Sequence, residues 1–222
     1  MGFIVAIDGE AGSGKSTVAK EIAKRLNFIY VDTGAMFRCV TLELIRKNIG
    51  LNDIDKINGI LANITIVFKN EENFQRVFLN GEDVTEEIRC EKVDDKVAEF
   101  ATVREIREKL KELQRELGKT DNIVMEGRDI GTVIFPNADV KIYIEVSEEE
   151  RANRRYKQTL EKGIDTSYEQ ILANIKKRHK LETEREIAPL VKAEDAILLD
   201  TTNMTEEESI EKIIEIIEKK RS

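Results

Sequence analysis

The chain has 222 residues, 41% hydrophobic and 36% charged, with a formal net charge of -8. That length supports one sizeable core and a single domain carrying insertions, and a charged fraction above the roughly 25% of an average soluble protein implies a densely charged surface. The negative balance excludes a broad basic face for nucleic acid or anionic lipid, so an anionic ligand has to be met by local clusters of Arg and Lys.

The start, MGFIVAIDGE, has neither the basic n-region nor the cleavage signature of a secretory signal. No apolar run approaches the roughly 18 residues of a membrane span, and a cytoplasmic protein is expected. Phe3 to Ile7 is a continuous apolar run, as in a parallel strand covered on both faces. After a glycine-rich stretch, Val18, Ile22 and Leu26 recur every four residues with Ala19 and Ala23 between them, which predicts an amphipathic helix. The alternation repeats with Phe28 to Val31, a helix carrying Met36, Val40 and Leu44, and later apolar runs at Ile123 to Met125, Val140 to Val146 and Ala196 to Leu199. Strands interleaved with helices predict an α/β fold with a parallel sheet. Thr205 and Glu208 form a capping-box pair ahead of Ile210, Ile213, Ile214 and Ile217 on one face of a final helix.

One stretch breaks this rhythm. Ile64 to Phe68 and Phe74 to Leu79 read as two strands joined by the polar Asn70 to Asn73 and followed by an Asn80-Gly81 turn, so an antiparallel hairpin is expected within an insertion over residues 58–91. The charged, helix-rich region from Arg151 to Arg185 is a second candidate for movement.

Gly9-Glu10-Ala11-Gly12-Ser13-Gly14-Lys15-Ser16 matches G-x-x-x-x-G-K-[ST] without a mismatch. Backbone amides of such a loop form an anion nest at the positive end of the following helix. Lys15 can reach the β- and γ-phosphates of ATP, and the Ser16 hydroxyl can ligate magnesium. The strand before the loop and the helix after it are the context that the motif requires.

Other P-loop classes fit less well. A GTPase switch needs an Asn/Thr-Lys-x-Asp string and a DxxG loop, whereas the nearest strings are Gly118-Lys119-Thr120-Asp121 and Asp129-Ile130-Gly131. A helicase-like ATPase would find a Walker B imitation in Ile123 to Glu126 and little else. A nucleotide-dependent binding protein, using ATP as a switch and the hairpin as its contact surface, leaves the arginines unexplained. A small-molecule kinase needs a second anion site, for which Arg38, Arg107, Arg128, Arg154, Arg155, Arg178 and Arg185 are candidates, since the guanidinium fork suits phosphate oxygens. Arg128 is the strongest, because it follows an apolar strand at the carboxyl end where open α/β sheets bind ligands. Cys39 and Cys90 have no CxxC spacing, so neither a zinc site nor a disulfide is indicated and both are expected as ordinary buried or half-buried thiols. His179, the single histidine, lies in KKRHKLETER and is expected at a solvated helix position.

The strings AIDGEAGSGKSTVAK, YVDTGAMFRCVT, NGEDVTEEIR, EGRDIGTVIFPNADVKIYIEVSEEERANRRY and EREIAPLVKAEDAILLDTT together resemble the bacterial cytidylate kinases over nearly the whole chain. An adenylate kinase would match only at the phosphate loop. The resemblance implies a three-layer P-loop kinase domain over residues 1–222, with a five-stranded parallel sheet, a nucleoside-monophosphate-binding insertion at 58–91 and a short lid at 151–165. It implies ATP-dependent phosphorylation of CMP and dCMP by a monomer that needs Mg2+, with no nucleic-acid or membrane partner. ATP would be held by Gly9, Glu10, Ala11, Gly12, Ser13, Gly14, Lys15, Ser16 and Thr17, with Ser16 on the metal. Thr33, Arg38, Arg128 and Arg185 would take the CMP phosphate, Arg107 and Asp129 the base, and Arg178 with Glu182 the sugar. Lys15, Arg128, Arg154, Arg155 and Arg185 would serve catalysis, Arg154 and Arg155 from the lid. The chain departs from the family pattern at Glu10, where proline is usual, at Ala98 in place of a serine, at Glu126 and Glu182 in place of aspartates, and at His179 in place of an acidic residue.

Overall fold

Strand and helix alternate from the N-terminus as the apolar runs require. The computed structural model describes residues 2–71, 75–161, 163 and 165–221. Strand β1 (Ile4–Gly9) leads into helix α1 (Lys15–Leu26), strand β2 (Ile29–Asp32) and helix α2 (Thr33–Arg46). Helix α3 (Ile54–Asn63), strands β3 (Ile66–Asn70), β4 (Gln75–Leu79) and β5 (Glu82–Asp83), a 3₁₀ turn at Glu87–Arg89, and helices α4 (Glu91–Phe100) and α5 (Arg104–Leu117) follow. The chain continues through β6 (Ile123–Gly127), one π-helical turn (Ile130–Ile134), β7 (Val140–Glu145), α6 (Glu148–Glu161), α7 (Tyr168–Glu184), β8 (Ile197–Asp200) and α8 (Glu206–Arg221).

These elements form two compact units, one of Met1–Val31 with Leu117–Ser222 and one of Asp32–Glu116. In the first, the strands make a five-stranded parallel sheet in the order β2-β6-β1-β7-β8. β1 lies in the middle and is buried along its whole length, which explains a strand without polar alternation. Val5, Ile7, Ile142 and Ile144 pack with Val18 and Ile22 of α1 and with Ile210, Ile213 and Ile217 of α8. The capping box that starts α8 is formed: the Glu208 amide donates to Thr205 Oγ1 at 3.2 Å, and the Thr205 amide donates to Glu208 Oε2 at 2.8 Å. β8 differs from the expected covered strand, because it is the edge of the sheet and leaves Ile197 and Leu198 exposed.

In the second unit, β3 and β4 pair antiparallel, Ile66 opposite Leu79, so the expected hairpin is present; its assigned residues Asn73 and Phe74 lie outside the described ones. Asn80 and Gly81, with φ of 51° and 87°, turn the chain into β5, a third strand of two residues that the sequence reading omitted. Met36, Val40 and Leu44 of α2 pack with Leu79, Ile106 and Leu110. Cys39 is buried there as expected, whereas Cys90, which precedes α4, is exposed.

Candidate active site

The phosphate loop begins where β1 ends. Gly12 and Gly14 take φ of 80° and 81°, a left-handed conformation that L side chains disfavour, and Gly14 caps α1. Lys15 is buried, and its Nζ donates to the Glu10 carbonyl at 3.1 Å and lies 3.8 Å from Glu126 Oε2. Burial, with the Arg128 charge adding to it, lowers the Lys15 pKa to about 8 against the pull of Glu126. Glu126 is fixed in turn by Tyr30, whose hydroxyl donates to Oε1 at 2.9 Å. Ser16 and Thr17 stand exposed at the start of α1, and the Ser13 hydroxyl is buried without a hydrogen-bond partner.

Arg151 braces this loop from α6. It is 2% exposed, donates Nε to the Val146 carbonyl and Nη1 to the Ala11 carbonyl, and places Nη2 2.6 Å from Glu10 Oε2. The other Glu10 oxygen lies 2.8 Å from His179 Nδ1 on α7, so His179 is not the solvated position that the surrounding charges suggest. Arg154 donates Nε to Glu150 at 2.8 Å, and its Nη1 would be 3.6 Å from a Cβ placed on Gly14. Arg155 is exposed on the same helix. The residues assigned to a lid thus fall on a regular helix that packs on α7 through Ala152, Ile171 and Ile175, and Lys162 and Ile164 lie outside the described residues.

A second group forms where β6 ends. Glu182, buried on α7, accepts Arg128 Nε on Oε2 at 2.8 Å and Arg178 Nε on Oε1 at 2.9 Å. Burial pushes its pKa up, but the two arginines outweigh that and carry it down to about 2. Arg128 in turn is held firmly protonated: burial opposes its charge, and Glu182 more than compensates. Asp129 is buried, with Oδ1 3.9 Å from Arg185 Nη2, and Arg185 Nε donates to the Ala188 carbonyl at 2.7 Å. The turn that carries these residues is capped from β1, because Asp8 accepts the Ile130 and Gly131 amides at 2.8 Å each.

The second unit holds the remaining candidates. Asp32 caps α2 by accepting the Ala35 amide at 2.9 Å, which leaves Thr33 buried in the first turn. Arg38 is paired with Asp94 and donates to the Ile88 carbonyl at 3.4 Å. Arg107 is buried, donates to the Ala101 carbonyl at 2.9 Å, and lies over the Phe37 ring. Sequence reasoning missed Asp8, Arg151, Tyr30 and Asp94; only Asp8 carried a signal, as a charged residue ending an apolar run.

A strand, an anion nest, a buried lysine and a carboxylate-held arginine pair make a phosphotransferase architecture. The cytidylate kinase family model matches residues 5–219. The chain belongs to the cytidylate kinase family. It is 45% identical over 216 residues to the cytidylate kinase of Bacillus subtilis (strain 168), covering 97% of this chain and 96% of the relative. To that of Caldanaerobacter subterraneus subsp. tengcongensis it is 48% identical over 215 residues, covering 97% and 94%. A solved structure of an uncharacterized protein from Eubacterium ventriosum shares the fold, with a TM-score of 0.53 at 18% identity and 99% coverage of both chains. The three-layer kinase architecture expected from the cytidylate kinase resemblance is therefore the observed one.

Proposed function

We propose that the protein transfers the γ-phosphoryl group of ATP to the phosphate of CMP or dCMP. The observation that carries this reading is the pairing, within one unit, of a phosphate loop containing a buried Lys15 with Arg128 and Arg178 held on one carboxylate. The first arrangement suits a donor triphosphate, and in the second Arg128 suits an acceptor phosphate, with Arg178 beside it for the sugar. Family membership supplies the cytosine.

The acceptor phosphate has a second pKa of about 6, so its attacking oxygen is largely deprotonated at neutral pH and no general base is needed. Catalysis reduces to alignment and to neutralising the charge that spreads over the transferred group. Lys15, Arg128, Arg154, Arg155 and Arg185 are assigned to that neutralisation. Residues Gly9 to Thr17 hold the ATP phosphates. A magnesium ion accompanying the nucleotide would ask for only one or two protein oxygens, and the exposed Ser16 hydroxyl at the start of α1 would offer one; the ion would offset the negative charge of the phosphates. Asp129 reads the cytosine amino group, and Glu182 acts first as the holder of Arg128 and Arg178. The cytidylate kinase resemblance assigns Thr33 and Arg38 to the CMP phosphate and Arg107 to the base. The protein works as a cytoplasmic monomer.

The test is a coupled assay of ATP consumption over CMP, dCMP, UMP, AMP and shikimate. Turnover is expected with CMP and dCMP and far less with the others; ATP consumption that does not depend on a monophosphate would overturn the reading.

A further inference from the structure

Glu10 and His179 both depart from the family pattern, and they touch. Glu10 is the second residue of the phosphate loop, and each of its carboxylate oxygens has a different nitrogen neighbour: Arg151 Nη2 at 2.6 Å and His179 Nδ1 at 2.8 Å. The two neighbours sit on different helices, α6 and α7. An exposed pair of this kind would contribute little, but the Glu10 side chain is only 14% exposed and Arg151 is buried.

The two sides of the contact are unequally anchored. On the loop side, Arg151 spends its other donors on the Val146 and Ala11 carbonyls, so Glu10 is gripped by a guanidinium that cannot readily move. On the helix side, apolar packing through Ile171, Ile175 and the Tyr156–Tyr168 ring pair fixes the first half of α7 to α6. The second half carries Arg178 and Glu182; Glu182 ties it to Arg128 at the end of β6 and its carbonyl accepts the Leu190 amide at 2.8 Å, while His179 is where it meets Glu10 of the phosphate loop. The His179 Nδ1 comes within 2.8 Å of Glu10 Oε1 without an aligned hydrogen bond, so the contact is one of close polar approach across two elements.

We propose that Glu10 is a positioning residue for the acceptor side of the reaction: gripped by Arg151, it tethers the second half of α7 through His179 and so sets Arg178 and the Glu182–Arg128 pair relative to the phosphate loop. The inference rests on the assignment of Arg128 and Arg178 to CMP. Disturbing the contact shifts the stretch of α7 that carries Arg178 and Glu182, so the cost falls on CMP more than on ATP.

The experiment compares steady-state kinetics of wild type, His179→Glu, Glu10→Gln and the double variant, varying each substrate with the other saturating. His179→Glu sets two carboxylates against each other; the KM for CMP is expected to rise about tenfold and that for ATP less than about threefold. Adding Glu10→Gln removes the repulsion and should return the KM for CMP to within about threefold of Glu10→Gln alone. A wild-type KM for CMP in His179→Glu, or a defect undiminished in the double variant, overturns the proposal. Thermal unfolding of each variant reports folding; if His179→Glu does not fold, His179→Ala, which removes the imidazole contact without repulsion, should raise the KM for CMP in the same direction, and an unchanged KM overturns the proposal. Wild-type protein that turns over no CMP would overturn the functional reading and this one with it, whereas an active wild type with unmoved variants overturns this one alone.

Discussion

The Gly131 amide donates to Asp8 Oδ2 at 2.8 Å, and the Ile130 amide donates to the other oxygen of the same carboxylate at the same distance. The penultimate residue of β1, just ahead of the phosphate loop, therefore caps the turn that follows Arg128 and Asp129. Burial, only partly offset by these two amides, pushes the Asp8 pKa up from 3.8 to about 6. The folded protein thus binds this proton more tightly than the unfolded chain, and ionising Asp8 costs stability as pH rises from 3.8 through about 6.

Asp8→Asn keeps one acceptor and turns an amide donor toward the other N–H. Leaving a buried donor unsatisfied costs about 1–3 kcal/mol, so the variant is expected to lose about that much stability under conditions where the wild-type Asp8 carries its proton. The variant also lacks the ionisation cost, so its Tm relative to wild type should be higher at about pH 7.5 than at about pH 4.5. Thermal denaturation at the two pH values checks this; an equal difference at both would show that Asp8 does not titrate as described.

Lys15 should set a basic limit on ATP use. Its pKa of about 8, lowered chiefly by burial, means that the ammonium is present below that value and lost above it. The kcat/KM for ATP is expected to fall about tenfold per pH unit above about pH 8. Lys15→Ala should cut kcat by at least about a hundredfold, the scale of losing one preorganised charge-stabilising donor. A profile that stays flat to about pH 9.5 would show that Lys15 does not titrate near about 8, and an alanine variant near wild type would remove Lys15 from the chemistry.

The sheet and the loop were legible because their signals are local: a polar-free run such as Phe3 to Ile7 has to be covered on both faces, and each glycine of the loop has a backbone reason. β5 was not legible, since Glu82 and Asp83 are too few and too polar to read as a strand and are held by pairing with Phe78 and Leu79. Arg151 shows the larger gap. In EEERANRRY nothing separates it from the exposed Arg155 four residues on, and what buries it are carbonyls, one of them 140 residues away at Ala11. Likewise the spacing of Arg178 and Glu182 predicts a pair on one helix face, but Arg128 as the third member is a tertiary fact.

Glu182→Gln tests that triad. Glu182 holds its charge down to about pH 2, so its contribution to stability is complete above the ordinary carboxylate pKa of 4.5 and is lost only as pH falls through about 2. Removing one partner of a fully buried pair costs about 3–5 kcal/mol, and the 29% exposure of Arg178 lowers the expectation to about 2–3 kcal/mol. Urea denaturation should show that loss with little change between pH 6 and pH 8, together with a raised KM for CMP. A loss that varies steeply across this range would mean that another group titrates with the triad.

Asp129 is the residue on which base choice should turn. A carboxylate oxygen accepts hydrogen bonds; the cytosine amino group donates, whereas the corresponding uracil oxygen would set acceptor against acceptor. Discrimination then arises from the polar groups left unpaired in the wrong complex. Asp129→Ala removes the acceptor for CMP and the repulsion for UMP, so the ratio of their kcat/KM values should fall by about a hundredfold, through loss with CMP more than gain with UMP. Asp129→Asn, whose amide can donate as well as accept, should recover UMP better than alanine does. Asp129 also lies 3.9 Å from Arg185, so a purely structural role predicts something different: both substrates would suffer equally as Arg185 loosens. Parallel kcat/KM measurements with CMP and UMP separate the two, because only a base-reading carboxylate changes the ratio.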